Sequence, residues 1–393
     1  MPKLFENANI GKMELKNRFV HSATYEVMAK ETGEVTDELV SRYRLIAKGD
    51  TGLIIPGYMY VLPSGRAFKP QTGIHKDDLI PGLKKISDAV HKEGGKIVFQ
   101  LVHAGRQTKK DVAGETPLGP SSSGRDTVYF VKPKKMSEED IRTVIQAFGK
   151  AALRAVEAGA DGVQIHAAHG YLVNQFLSPF FNKRKDSWGG SDENRFKFLK
   201  EVFLEIKRSV PDDLPVMVKL NTRDYTPKEG ITLPLAVKYA QWLAELGIDA
   251  LEVSCGTAFY SFMNECRGEV PIDEFVSGLP WWQKPIGKIM LNKMKGNFDL
   301  EEGYNLEAAE LIRKVQKDII LMVVGGFRRM THMQDVVDRG IADFISMSRP
   351  FIREPFIVKK FKEGKADRVA CVSCNKCVSA LLNNHPVRCL YNG

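Results

Sequence analysis

Residues 162–198 read GVQIHAAHGYLVNQFLSPFFNKRKDSWGGSDENRFKF. The first four, Gly162 to Ile165, follow a Gly-Ala-Asp turn and form a short apolar run, the pattern of a buried strand, so His166 falls where that strand ends. His169 and Tyr171 come next, in a polar, glycine-bearing stretch that lasts to Ser191. Helical spacing then returns over 193–210, with Phe196, Leu199, Val202, Phe203 and Ile206 on one stripe. The unit is therefore strand, loop, helix, with acid/base side chains at the strand's end, the rim on which an α/β barrel carries its chemistry.

Working outward, the same alternation occurs eight times. Strands are expected at 18–23, 52–56, 96–101, 162–166, 215–220, 250–254, 320–324 and 344–347. Helices are expected near 36–48, 79–93, 137–157, 193–210, 234–246, 306–316, 332–339 and 355–363, the third opening on Ser137-Glu-Glu-Asp140, the spacing of a capping box. Eight such pairs are the count of a (β/α)8 TIM barrel of the α/β class. An open doubly wound sheet would want a G-x-G-x-x-G turn after its first strand, and the sequence has none there. Residues 4–15 read as a hairpin ahead of the barrel. Long connections follow the third strand (105–136) and the sixth (256–304), the latter rich in aromatics such as Phe259, Tyr260, Phe262, Trp281 and Trp282, which marks them as folded lids. The division is a barrel over 1–365 and a cysteine-rich tail over 366–393.

Hydrophobic residues at 43% and charged residues at 27% are ordinary for a soluble globular chain. Neither a basic start with an apolar segment behind it nor a run of membrane length is present, so the expectation is a cytoplasmic protein without a membrane partner. The net charge of +9 is spread over helices that also carry Asp and Glu, with no aromatic-interleaved basic patch or zinc-finger spacing, which excludes nucleic acid as the expected partner. The oligomeric state is left open, a homo-oligomer included.

The strand ends carry distinct chemistry. Strand one ends in Ser22, Ala23, Thr24 and Tyr25, small and hydroxyl-bearing side chains against which a flat ring can lie; strand two runs into Gly57, where a planar cofactor can approach backbone. Gln100, inside an apolar run, needs a partner to which its amide donates and accepts at once. Lys219 is a cation in an otherwise apolar strand and needs one as well, unless it is the Schiff-base lysine of a phosphate-binding lyase barrel. Gly325 and Gly326 after strand seven, and Ser348 and Arg349 after strand eight, occupy the positions where TIM barrels hold phosphate. His166 and His169 lack the Glu of an H-E-x-x-H metal site and read as donors to a substrate oxyanion. Cys371, Cys374, Cys377 and Cys389 form a C-x2-C-x2-C-x11-C array, open to an iron-sulfur cluster, to zinc or to free thiols, with a redox or metal sensor as a further reading of the whole chain.

The run H-x-x-H-G-Y-L-x-x-Q-F-L-S-P from His166, followed by N-x-R-x-D-x-W-G-G-S-x-E-N-R from Asn182, resembles the central signature of the old yellow enzyme family; the Q-L-x-H-A-G-R string from Gln100 is similar to that family's too. The resemblance implies an FMN-dependent barrel that takes hydride from NADH or NADPH and reduces the C=C bond of a small-molecule enone. It implies that the hairpin plugs the barrel's bottom and that Gln100 meets the flavin pyrimidine. Ala23 and Thr24 would flank the ring, with Tyr25 at the redox-tuning position, where relatives often carry Thr or Cys. Lys219 stands where relatives often have Arg, and Arg349 matches the phosphate-binding arginine, with Ser348 replacing the usual Gly before it. His166 and His169 would grip the enone oxygen, and Tyr171 would give the proton. The tail is similar to that of the dienoyl-CoA reductase and trimethylamine dehydrogenase branch, which implies [4Fe-4S], although there one more residue separates the second and third cysteines.

Overall fold

Strand side chains alternate between two buried environments. In β5 (Val216–Asn221), Val216, Val218 and Leu220 join the apolar layer under the helices, while Met217 joins a separate cluster with Val20, Val98, Ala250, Met322 and Phe344. That second cluster is the lower interior of a closed barrel. The computed structural model describes residues 2–122, 124–125 and 129–391. Its barrel strands are β1 (Phe19–His21), β2 (Leu53–Ile54), β3 (Lys96–Val102), β4 (Gly162–Ala167), β5, β6 (Ala250–Ser254), β7 (Leu321–Val324) and β8 (Phe344–Met347). Each pairs in parallel with the next, and β8 pairs with β1, so the sheet closes. The (β/α)8 expectation holds.

Eight helices surround it: α1 (Asp37–Lys48), α2 (Ile80–Lys92), α3 (Glu138–Glu157), α4 (Asp192–Ser209), α5 (Leu233–Glu245), α6 (Leu306–Val315), α7 (Met330–Asp338) and α8 (Ile357–Lys362). The Ser137 and Asp140 side chains satisfy the opposite backbone amides, so the α3 capping box forms as its spacing predicts. The N-terminal hairpin, Ala8–Ile10 against Met13–Leu15, sends Ile10, Met13 and Leu15 into the lower interior cluster and thereby closes the bottom. Burying Ile10 and Leu15 completely contributes roughly 1.5–3 kcal/mol each.

Strands β1 and β2 are shorter than expected. The chain leaves β2 at Pro56-Gly57 and re-forms a short strand, Met59–Tyr60, that runs parallel to the end of β3. The connection after β6 folds as three short helices, Phe262–Glu265, Ile272–Val276 and Lys284–Asn292. The lid expectation holds only in part for its aromatics: Phe259 packs edge-on against Tyr129 of the other long loop, but Trp281 and Trp282 are exposed. Part of the loop after β3 lies outside the described residues. No helix among the described residues is long and apolar enough to cross a membrane.

Candidate active site

One layer above the apolar interior, the same alternation turns polar side chains inward. Gln100 donates to Gln164 (2.6 Å), Gln164 donates to Glu252 (3.0 Å), and Ser22 donates to the other carboxylate oxygen of Glu252 (2.6 Å). Lys219 donates to Ser22 (2.8 Å), and its ammonium lies 3.5 Å from Glu252. The buried cation thus has its partner: β5 and β6 place Lys219 and Glu252 directly opposite each other. Sequence reasoning missed Glu252 although it interrupts an apolar strand just as Lys219 does. An ammonium engaged in this way is not the free amine that a Schiff base requires.

At the end of β4, His166 and His169 stand edge to face with ring centroids 5.0 Å apart, and Tyr171 packs 5.0 Å from His166. His169 takes a left-handed backbone (φ 60°), rare for a residue with a side chain. The conformation is held by hydrogen bonds to its carbonyl from Gln107 (2.7 Å) and the Ala258 amide (3.1 Å), and its Nε2 is 2.7 Å from the Ser254 hydroxyl. Burial depresses the pKa of both histidines well below the ordinary value, with Lys219 adding to the effect, so both rings are neutral at pH 7. Burial raises the Tyr171 pKa, and the phenol stays protonated. Its hydroxyl donates to that of Tyr58 (2.8 Å), a residue to which sequence reasoning assigned no role.

These groups share one cavity with Ala23, Thr24, Tyr25, Gln100, Lys219, Gly326, Ser348 and Arg349, so most of the expected residues are brought together from several strand ends. Tyr25 stacks on Phe68 (4.9 Å) and Tyr58 (5.8 Å) as an aromatic wall. Two of the expected residues are set back from this lining. Gly57 does not line the cavity: its amide donates to Glu26 (2.7 Å), and a Cβ there would sit 2.2 Å from that carboxylate, so the glycine makes room for a buried acid. Gly325 is also set back from it, its carbonyl accepting from the Gly303 amide.

The opposite end of the cavity is cationic. Arg328 and Arg349 line it with Ser346, Ser348 and the left-handed Gly326 (φ 72°). Among the described residues, Ser346 Oγ and Arg328 Nε are buried without a hydrogen-bond partner. Orphaned donors beside two guanidinium groups fit a phosphate, and the apolar wall with the Gln100 and Lys219 floor fits a flat heteroaromatic ring, so the residues present suit FMN.

The tail is docked on this end. Ser373 and Asn375 accept from Arg328 and Arg349, and the Val387 amide donates to the Glu26 carbonyl (2.8 Å). Cys371, Cys374, Cys377 and Cys389 line one small pocket beside Arg349, and Cys377 also reaches the main cavity. Among the described residues no three His, Cys, Asp or Glu side chains gather as a metal-ion site.

The sequence matches the profile of the NADH:flavin oxidoreductase / NADH oxidase family over residues 3–266 and 281–368. It is 33% identical over 391 residues to the 4,4'-dithiodibutanoate disulfide reductase of Rhodococcus erythropolis, covering 97% of this chain and 93% of that one. Among solved structures it is similar to 2-naphthoyl-CoA reductase (TM-score 0.86, 26% identity), covering 99% of this chain and 57% of that protein. It is also similar to the old yellow enzyme homologue from Zymomonas mobilis (TM-score 0.75, 25% identity, 95% and 96% covered). The chain spans little more than half the length of the first of these structures and nearly the whole of the second. On these matches, and on a barrel whose strand ends converge on one cavity, the chain belongs to the NADH:flavin oxidoreductase / NADH oxidase family of old yellow enzymes.

Proposed function

We propose that this chain holds FMN at the C-terminal rim of its barrel, accepts hydride from NADH or NADPH and reduces the C=C bond of an α,β-unsaturated carbonyl compound in the cytoplasm. The observation that carries the reading is the meeting of His166, His169 and Tyr171 with a cationic, donor-rich pocket in one cavity. When bound, the flavin supplies the hydride chemistry. Gln100, Lys219, Ala23, Thr24 and Tyr25 hold the ring region, and Gly326, Ser348 and Arg349, joined by Arg328, hold the phosphate. Each neutral imidazole offers one N–H to the enone oxygen. Negative charge grows on that oxygen as the alkene is reduced, so these donors stabilise the transition state more than the ground state. Tyr171, kept protonated by burial, gives its proton to the α-carbon.

Residues 366–393 act as an appendage to the flavin barrel of residues 1–365, and their four cysteines hold a [4Fe-4S] cluster. Support for this is that all four line one pocket and that Arg328 and Arg353 approach the Cys371 and Cys389 sulfurs (3.7 and 3.6 Å).

Stopped-flow absorbance on purified holoenzyme tests the catalytic reading. In Tyr171→Phe, flavin reduction by the nicotinamide survives, while flavin reoxidation by enone falls on the order of a hundredfold or more. Equal loss in both half-reactions, or none in the second, defeats it.

A further inference from the structure

We propose that Tyr58 is a positioning residue for the proton donor: its hydroxyl holds the Tyr171 oxygen, stabilises the phenolate formed when the proton leaves, and passes back a replacement. The inference rests on the reading of Tyr171 as the acid.

Three observations converge on it. Tyr171 is 4% exposed, and among the described residues its hydroxyl bonds to Tyr58 alone (2.8 Å). Tyr58 is the more exposed of the pair and lines the same cavity. Its backbone is clamped on both sides. The Gly57 amide is fixed on Glu26 and Tyr43, the Tyr58 carbonyl accepts from Gln71 (3.0 Å), and Met59–Tyr60 pairs with β3. The ring is packed by Tyr25, Tyr171 and His166 with centroids 5.1–5.8 Å away. The buried Glu26 that displaces Gly57 from the cavity thus has a use: it fixes the turn that aims Tyr58.

The proton balance is simple. As hydride reaches the β-carbon, the Tyr171 O–H bond breaks and its proton joins the α-carbon. As that proton leaves, the hydrogen bond reverses and the Tyr58 proton moves towards the Tyr171 oxygen in the same step. Transfer of the Tyr58 proton restores Tyr171, and water supplies Tyr58, so each turnover consumes one hydride and one solvent proton. A hydrogen bond to a charged group is worth roughly 10- to 100-fold in an equilibrium, and burial already resists the phenolate here. The other ionisable groups facing the pair are Tyr25, Tyr129 and Glu265, with His166 against both rings.

Tyr58→Phe keeps the ring and removes the hydroxyl. Stopped-flow on the FMN-loaded variant is expected to show flavin reduction by NADPH or NADH at the wild-type rate. Reoxidation by 2-cyclohexenone is expected to slow roughly 10- to 100-fold. Mixed H2O/D2O measurements of that step should give a curved dependence in the wild type, from two moving protons, and a straight line in the variant. A straight line in the wild type overturns the proposal without any mutant, and so does a Tyr58→Phe reoxidation rate equal to wild type. If Tyr171→Phe itself reduces the enone normally, the reading of Tyr171 fails first; if only Tyr58→Phe is normal, that reading stands and this one falls.

Discussion

Replacing Glu252 by Gln keeps the shape of the side chain and an oxygen for the Ser22 hydroxyl but removes the only carboxylate ion-paired with Lys219 among the described residues. Both partners are interior, with side chains 4% and 0% exposed, so solvent screening does not soften the loss. Stranding one member of a buried pair destabilises by about 3–5 kcal/mol. At about 2.1 cal/mol/K per residue, a chain of 393 residues has an unfolding entropy of roughly 0.8 kcal/mol/K, so the melting temperature should fall by about 4–6 °C. Differential scanning calorimetry on FMN-free protein reads this directly. Adding Lys219→Met should restore most of the loss, because removing both charges is often neutral where removing one is not. Unchanged melting of Glu252→Gln, or a double variant no better than the single one, would refute the account of the barrel floor.

Burial holds the His103 pKa near 3, and its Nδ1 accepts from the Gly105 amide (3.0 Å), so the folded state resists a proton that the unfolded chain takes up below about 6.5. The stability it contributes is therefore complete above about pH 6.5 and drains as pH falls towards 3, at about 1.4 kcal/mol per pH unit. In His103→Gln, urea midpoints between pH 6.5 and 5 should flatten by that slope, and an unaltered slope would contradict it. Anaerobically purified protein should contain iron and acid-labile sulfide, both lost in Cys374→Ser; zinc, or neither element after reconstitution, removes the cluster. Asn375→Ala frees the Arg349 guanidinium from the tail and should weaken FMN retention several-fold by equilibrium dialysis, while unchanged retention would separate tail from phosphate site.

What could be read in advance was what repeats or stands out locally. Each strand-helix alternation, the capping box at Ser137 and the His166 to Tyr171 cluster is set by residues close together in the chain, and each appears near where its spacing puts it. What escaped depends on which strands become neighbours. Glu252 matters because its register sets it opposite Lys219, and Tyr58 because a short strand after Pro56-Gly57 swings its hydroxyl onto Tyr171. Gly57 shows the converse: its freedom from a side chain was legible, but the Glu26 that needs it is 31 residues away. The tail's contacts with Arg328 and Arg349 were equally hidden, since nothing local to Ser373 or Asn375 names an arginine in another loop.

The hydrogen bond from the Val387 amide to the Glu26 carbonyl joins parts of the chain more than 300 positions apart, and β8 closes the barrel by pairing with β1. Contacts of such long sequence separation form late, because their loops must be closed before they gain anything. During synthesis, the corner formed by Ser22, Thr24 and Glu26 therefore waits for residues 344–347 to close the barrel, and the turn that carries Tyr58 is not fully buttressed until residue 387 has left the ribosome. A nascent chain stalled before that point would hold folded βα units with an unfinished rim, which makes flavin uptake a step that waits for the tail.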